Sequence, residues 1–87
     1  MCGGFGDSKE IDEDTTTLCN GLRDAIQTKL STTFTVWKPE TFQTQVVAGV
    51  NYLIKIQVDG GKSISVKIFK PLPHTGSPAT LISASNI

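Results

Sequence analysis

The chain has little of what catalysis needs. Its 87 residues include one histidine, His74, and two cysteines, Cys2 and Cys19. A Cys–His nucleophilic pair would have to join His74 to one of those two thiols. Cys2 sits in a glycine-rich terminus where geometry cannot be preorganised, and Cys19 falls inside a helical pattern that packs it. The three residues show no metal-ligand spacing. The acidic run Asp12-Glu13-Asp14 reads as a solvated helix start, not as a working carboxylate pair. The expectation is a protein that is not an enzyme, with no catalytic residue, no metal and no cofactor. Two cysteines are also too few for a disulfide framework, so both read as free thiols in a reducing, cytoplasmic setting.

Excess charge is missing too. Eight Lys and Arg balance eight Asp and Glu, which leaves no electrostatic footprint for nucleic acid or an anionic membrane. Met1-Cys2-Gly3-Gly4-Phe5-Gly6 has neither a basic stretch nor an apolar one, and no run approaches transmembrane length. No export by a signal peptide, no membrane and no nucleic-acid partner are expected. Leu72-Pro73-His74-Thr75-Gly76 fits the LPxTG cell-wall sorting pattern, but only eleven mixed residues follow it, and that signal needs a membrane-length apolar segment. What remains, 38% hydrophobic and 18% charged, suits one small globular domain over residues 1–87.

Residues 1–10, rich in glycine and small polar types, read as a flexible arm. Leu18, Leu22, Ala25, Ile26 and Leu30 then recur at the spacing of one apolar helix face. Asp12, Glu13 and Asp14 place negative charge at the positive end of that helix. Gly21 interrupts the pattern, and implies either a helix that is not straight or close packing against a sheet.

After Ser31-Thr32-Thr33 the period changes to alternation. Phe34 and Val36 fall on one strand face and Thr35 and Trp37 on the other, while Pro39 marks an edge or a bulge. Tyr52, Ile54, Ile56 and Val58 alternate with polar neighbours. Asp59-Gly60-Gly61-Lys62 supplies a turn whose glycines can take positive φ. Ile64, Val66 and Ile68 return, a loop over Pro71–Pro78 follows, and a last strand spans Ala79–Ser85. The fold class is α+β: one amphipathic helix laid across an antiparallel sheet of four to five strands, each covering the apolar face of the other.

Two connections break the rule that turns are polar. Gln45-Val46-Val47-Ala48-Gly49 falls between two strands, yet its valines are β-branched and suit an extended strand. Leu72-Pro73 repeats the anomaly one hairpin later. Either these segments are strand ends folded into the core, or they form an apolar edge meant for a partner. In a meander, alternate connections share one end of the sheet. The two apolar tips therefore lie together, as a wedge, with the Asp59–Lys62 turn at the far end.

Gly3-Gly4, the helix pattern through Leu18, Leu22 and Ile26, the pentapeptide Gln45–Gly49, Asn51-Tyr52, Ile54-Lys55, Phe69 and Leu72-Pro73-His74 occur together in a fixed order. In this the sequence resembles the stefins (type 1 cystatins) over nearly its whole length. The resemblance implies the cystatin fold and reversible, tight, competitive inhibition of papain-like cysteine proteases, including cathepsins of the L, S, H and B types. It implies that Gly3 or Gly4 lets the arm run along the substrate-side subsites. It implies further that Gln45, Val46, Val47, Ala48 and Gly49 enter the active-site cleft, with Leu72, Pro73 and His74 beside them. A monomer is expected. A domain-swapped dimer, formed by straightening the Gln45–Gly49 hairpin, is the alternative state.

Overall fold

The computed structural model describes residues 5–47, 49–72, 76 and 78–87, with Val47 described by its backbone alone. Gly3, Gly4, Ala48, Pro73 and His74 lie outside the described residues. The chain runs as β1 (Lys9–Glu10), α1 (Glu13–Gly21), α2 (Arg23–Leu30), β2 (Trp37–Val47), β3 (Gly49–Val58), β4 (Ser63–Pro71) and β5 (Thr80–Asn86). All five strands form one sheet in chain order, and each neighbouring pair is antiparallel.

The helical layer begins where the acidic run places it. Asp12 is the N-cap of α1, and its carboxylate accepts a hydrogen bond from the Thr15 amide at 2.7 Å. Those bonds to Thr15 hold its pKa below the ordinary carboxylate range. A cap of this kind satisfies one of the four amides that the first helical turn leaves without an intrahelical partner. The expected single helix is divided at Leu22, whose φ of −109° and ψ of 9° leave the helical region. Its amide bonds back to the Cys19 carbonyl, an i−3 contact, before Ile26 resumes the i−4 pattern on Leu22. Gly21 is the cause on the sequence side, since it favours a helix less than any residue except proline. A Cβ on Gly21 would meet nothing within 4 Å, so the glycine marks a break and not a close approach to the sheet.

The buried stripe of this layer is Thr15, Cys19 and Ile26, flanked by the half-buried Leu18, Leu22 and Leu30. Ala25, expected on the apolar face, is exposed; it sits on the shoulder of a line drawn through 15, 19, 22 and 26. The helices lie across the sheet, α1 against β2 and α2 against β5. They cover Phe42, Ile54, Ile56, Val58, Ile64, Val66 and Ile68, which with Phe34 complete the core. The alternation read from β3 and β4 is therefore the alternation of burial.

Pro39 does mark an irregularity. Pro39 pairs with Ile56 and Thr41 with Lys55, so Glu40 is an extra residue on β2. The bulge exchanges the faces of the strand, which is why Trp37 faces the core side before it and Phe42 after it. The Glu40 carbonyl instead accepts from the Ile11 amide at 3.0 Å, at the edge where β1 docks.

The strand expected from Phe34 begins only at Trp37. Phe34 is buried and Val36 exposed, because the chain turns between them. The Asp59 carboxylate accepts from the amides of both Thr35 and Val36, the former at 3.0 Å, and so replaces a partner strand there. Trp37 closes this end of the molecule. Its indole N–H donates to Asn20 Oδ1 at 2.9 Å, and the Arg23 guanidinium lies 5.1 Å from its ring centre. Arg23 also donates to the Phe34 carbonyl. One cluster thus ties the helix break to the start of β2.

Candidate functional site

The first apolar connection and the start of the second meet at the opposite end. The β2–β3 hairpin stays paired close to its tip, with Val46 facing Val50 and Val47 facing Gly49. Gly49 in turn pairs with Pro71, the last residue of β4. The first tip and the start of the β4–β5 connection are therefore neighbours in the sheet. The chain before β1 leads the same way. Lys9 pairs with Phe42 and Glu10 with Thr41, so moving backward from Lys9 along the antiparallel edge moves toward Val47. The Gly6 amide donates to the Thr44 carbonyl at 2.9 Å, and Gln43 Nε2 donates to the Gly6 carbonyl at 2.9 Å. From Gly6 onward the segment read as an arm is thus hydrogen-bonded to the edge of β2.

The side chains at this end decide between the two readings of the valines. Val46 follows the inward alternation of Phe42, yet it is 73% exposed, and Leu72 is 41% exposed. Neither is folded into the core. Burying a valine side chain fully is worth about 1.5–3 kcal/mol, so two exposed aliphatic side chains on adjacent tips leave that free energy for a partner to collect. Gln45, one rung below Val46, is fixed by a hydrogen bond from Asn51 Nδ2 to its Oε1 at 3.0 Å. Gly49 is buried, with φ of +140°. A Cβ there would stand 2.7 Å from both the Lys70 carbonyl oxygen and Phe69 Cζ. Only glycine fits at that point, for reasons of backbone and of space together. Sequence reasoning names Gly49 but misses Phe69 as its neighbour; the register is the signal that brings them together.

Nothing described assembles a catalytic or metal site. Cys19 is fully buried, its thiol donates to the Thr16 carbonyl at 3.3 Å, and burial pushes its pKa up to about 11. A thiol that holds its proton so firmly, away from solvent, is no nucleophile. Among the described residues, no group of three or more His, Cys, Asp or Glu side chains could hold a metal. Among the same residues, no helix is long and apolar enough to cross a membrane.

Comparison with known proteins agrees with this geometry. Residues 6–84 match the family model described as "Cystatin domain". The chain is 36% identical over 81 residues to Stefin-C of Bos taurus, covering 93% of this chain and 80% of that protein. It is 34% identical over 83 residues to Cystatin-B of Bos taurus, covering 95% and 85%. It is 35% identical over 79 residues to Cystatin-A of Felis catus, covering 91% and 81%. An antiparallel sheet crossed by one helical layer, and a family match over most of the length, lead to one conclusion: the chain belongs to the stefin branch of the cystatins, a family of cysteine protease inhibitors rather than enzymes.

Proposed function

We propose that this protein is a reversible, tight-binding, competitive inhibitor of papain-like cysteine proteases of the cathepsin type. In this reading the segment around Gly3 and Gly4 lies along the substrate-side subsites. Gln45, Val46, Val47, Ala48 and Gly49 enter the cleft, and Leu72, Pro73 and His74 support them on the leaving-group side. The observation that carries the reading is the exposure of Val46 and Leu72 on neighbouring tips. The backbone on both sides of the first tip is strand-paired as far as Val47 and Gly49, so little chain entropy is lost on docking, which allows a small surface to bind tightly. A hairpin held this way need not present a peptide bond to the catalytic cysteine in a cleavable orientation, and inhibition proceeds without turnover. The protein works as a cytoplasmic monomer.

A strand-exchanged dimer is the competing state. Val46 and Val47 already belong to β2, and opening the tip between them and Gly49 would merge β2 with β3 across two chains. Such a dimer buries the tip and loses inhibition.

Titration of the protein into active papain, followed with a fluorogenic peptide substrate, tests the proposal. Competitive inhibition at nanomolar concentration, by a species that elutes as a monomer in size exclusion, supports it. A folded monomer that leaves papain fully active would refute it. Removing residues 1–4 is expected to weaken inhibition without unfolding the protein, which tests the arm separately.

A further inference from the structure

The Gly49 cradle assigns work to a side chain outside the inhibitory segments. Three strands pass through the base of the wedge in register. Gln45 pairs with Asn51, and Asn51 pairs with Phe69; one step nearer the tip, Val47 pairs with Gly49 and Gly49 with Pro71. Phe69 and Gly49 are thus diagonal neighbours on the same face of the sheet, within reach of an aromatic ring. The ring uses that reach. Its Cζ and Cε1 atoms stand 2.7 and 2.8 Å from where a Cβ on Gly49 would be. The ring therefore occupies the space that the glycine leaves open. Phe69 itself is only half-buried, and it lies on the face away from the helices, opposite to Ile68 and Val66. The hydrophobic core does not require it.

We propose that Phe69 is a positioning residue for inhibition. Packed against Gly49, its ring holds the β2–β3 tip at a fixed angle to the end of β4, so that the tip reaches the protease already oriented. The Asn51–Gln45 hydrogen bond, at 3.0 Å on the adjoining rung, braces the same base from the β2 side. Without the ring, Gly49 keeps its unusual φ but loses the surface against which it is pressed. The tip then samples several orientations, and binding must restrict them. The inference rests on the inhibitor reading above and adds to it a residue that does not touch the reacting groups.

The test compares the parent with Phe69→Ala and Phe69→Tyr in two measurements: inhibition of papain, and amide hydrogen exchange of the free inhibitor. Ordering one or two backbone residues on docking corresponds to roughly a ten-fold loss of affinity. Phe69→Ala is expected to inhibit about ten-fold less tightly, with faster exchange at Val46, Val47 and Val50 and unchanged exchange at Ile54, Ile56 and Val66. Phe69→Tyr, which keeps the ring, is expected to match the parent in both. Should Phe69→Ala fail to fold, Phe69→Leu carries the same comparison with a smaller effect of the same sign. Unchanged inhibition by a folded variant overturns the inference while leaving the inhibitor reading intact. Weaker inhibition with tip exchange unchanged also overturns it, because the ring would then act by touching the protease. If the parent itself does not inhibit, the inhibitor reading and this inference both fall.

Discussion

The two ends of the sheet solve the same problem in opposite ways. At the far end β3 turns into β4 through Asp59–Gly61, where Gly60 and Gly61 take φ of 72° and 71°. A Cβ at either would meet nothing within 4 Å. The glycines there serve the backbone alone. Asp59 turns its carboxylate to the amides of Thr35 and Val36, and the Trp37–Arg23–Phe34 cluster packs behind it. The Thr35 and Val36 amides are satisfied and Phe34 is buried, while the Val36 side chain itself stays exposed. At the near end Val46 and Leu72 are exposed, and Gly49 is crowded between Phe69 and the Lys70 carbonyl. The far end is organised to close the fold. The near end holds apolar surface out of the fold at some cost in stability, and such surface is the usual mark of a partner.

Four substitutions sharpen the contrast, and Gly49→Ala is expected to do the most. Its methyl group would overlap backbone as well as ring, at a φ that side chains rarely adopt, for a combined loss of about 3 kcal/mol. Chemical denaturation should show it, together with weakened inhibition. Val46→Asp comes next. The residue is 73% exposed, so stability should stay within about 0.5 kcal/mol of the parent. Inhibition should weaken by roughly ten- to a hundred-fold, the equivalent of burying one valine.

Asp59→Ala reverses the pattern. It frees the Thr35 and Val36 amides, so the thermal midpoint should fall while inhibition, measured well below that midpoint, is unchanged. The same group makes stability depend on pH. Hydrogen bonds from Val36 and Thr35 hold the Asp59 pKa below its ordinary value, and those from Thr15 do so for Asp12. A carboxylate whose folded pKa is depressed stabilises the fold above its unfolded pKa, near 4, and that contribution fades as pH falls through the folded value. Denaturation midpoints should therefore drop below about pH 4, and Asp59→Ala should flatten that decline. Gly60→Asn is the smallest change. Asparagine tolerates positive φ and space is open there, so both stability and inhibition should remain close to the parent.

Much of the fold was legible in the chain because alternation, turn chemistry and capping each leave residues behind. Tyr52 to Val58 and Ile64 to Ile68 show their period directly, Gly60-Gly61 announces its turn, and Pro39 announces the bulge. The exposure of Val46 and Leu72 was legible for the converse reason: aliphatic residues stand where turns call for polar ones. Other features left weaker traces. β1 pairs through backbone groups, with the Gln43 amide holding Gly6 ahead of it, and Ser8-Lys9-Glu10 carries no pattern that would mark a strand. The helix break was signalled only by Gly21, and its position at Leu22 follows from hydrogen bonding that no spacing encodes. The missing strand at Phe34–Val36 depends on Asp59, more than twenty residues away in the chain. Phe69 reads as one more apolar residue in β4. Its contact with Gly49 exists only once two hairpins are in register.

The most direct test measures the papain inhibition constant and the thermal midpoint side by side for Val46→Asp and Asp59→Ala. The account predicts a clean exchange: Val46→Asp loses inhibition and keeps its midpoint, while Asp59→Ala keeps inhibition and loses midpoint. A Val46→Asp protein that inhibits as well as the parent would contradict it, because the exposed tip would then not be the surface that meets the protease.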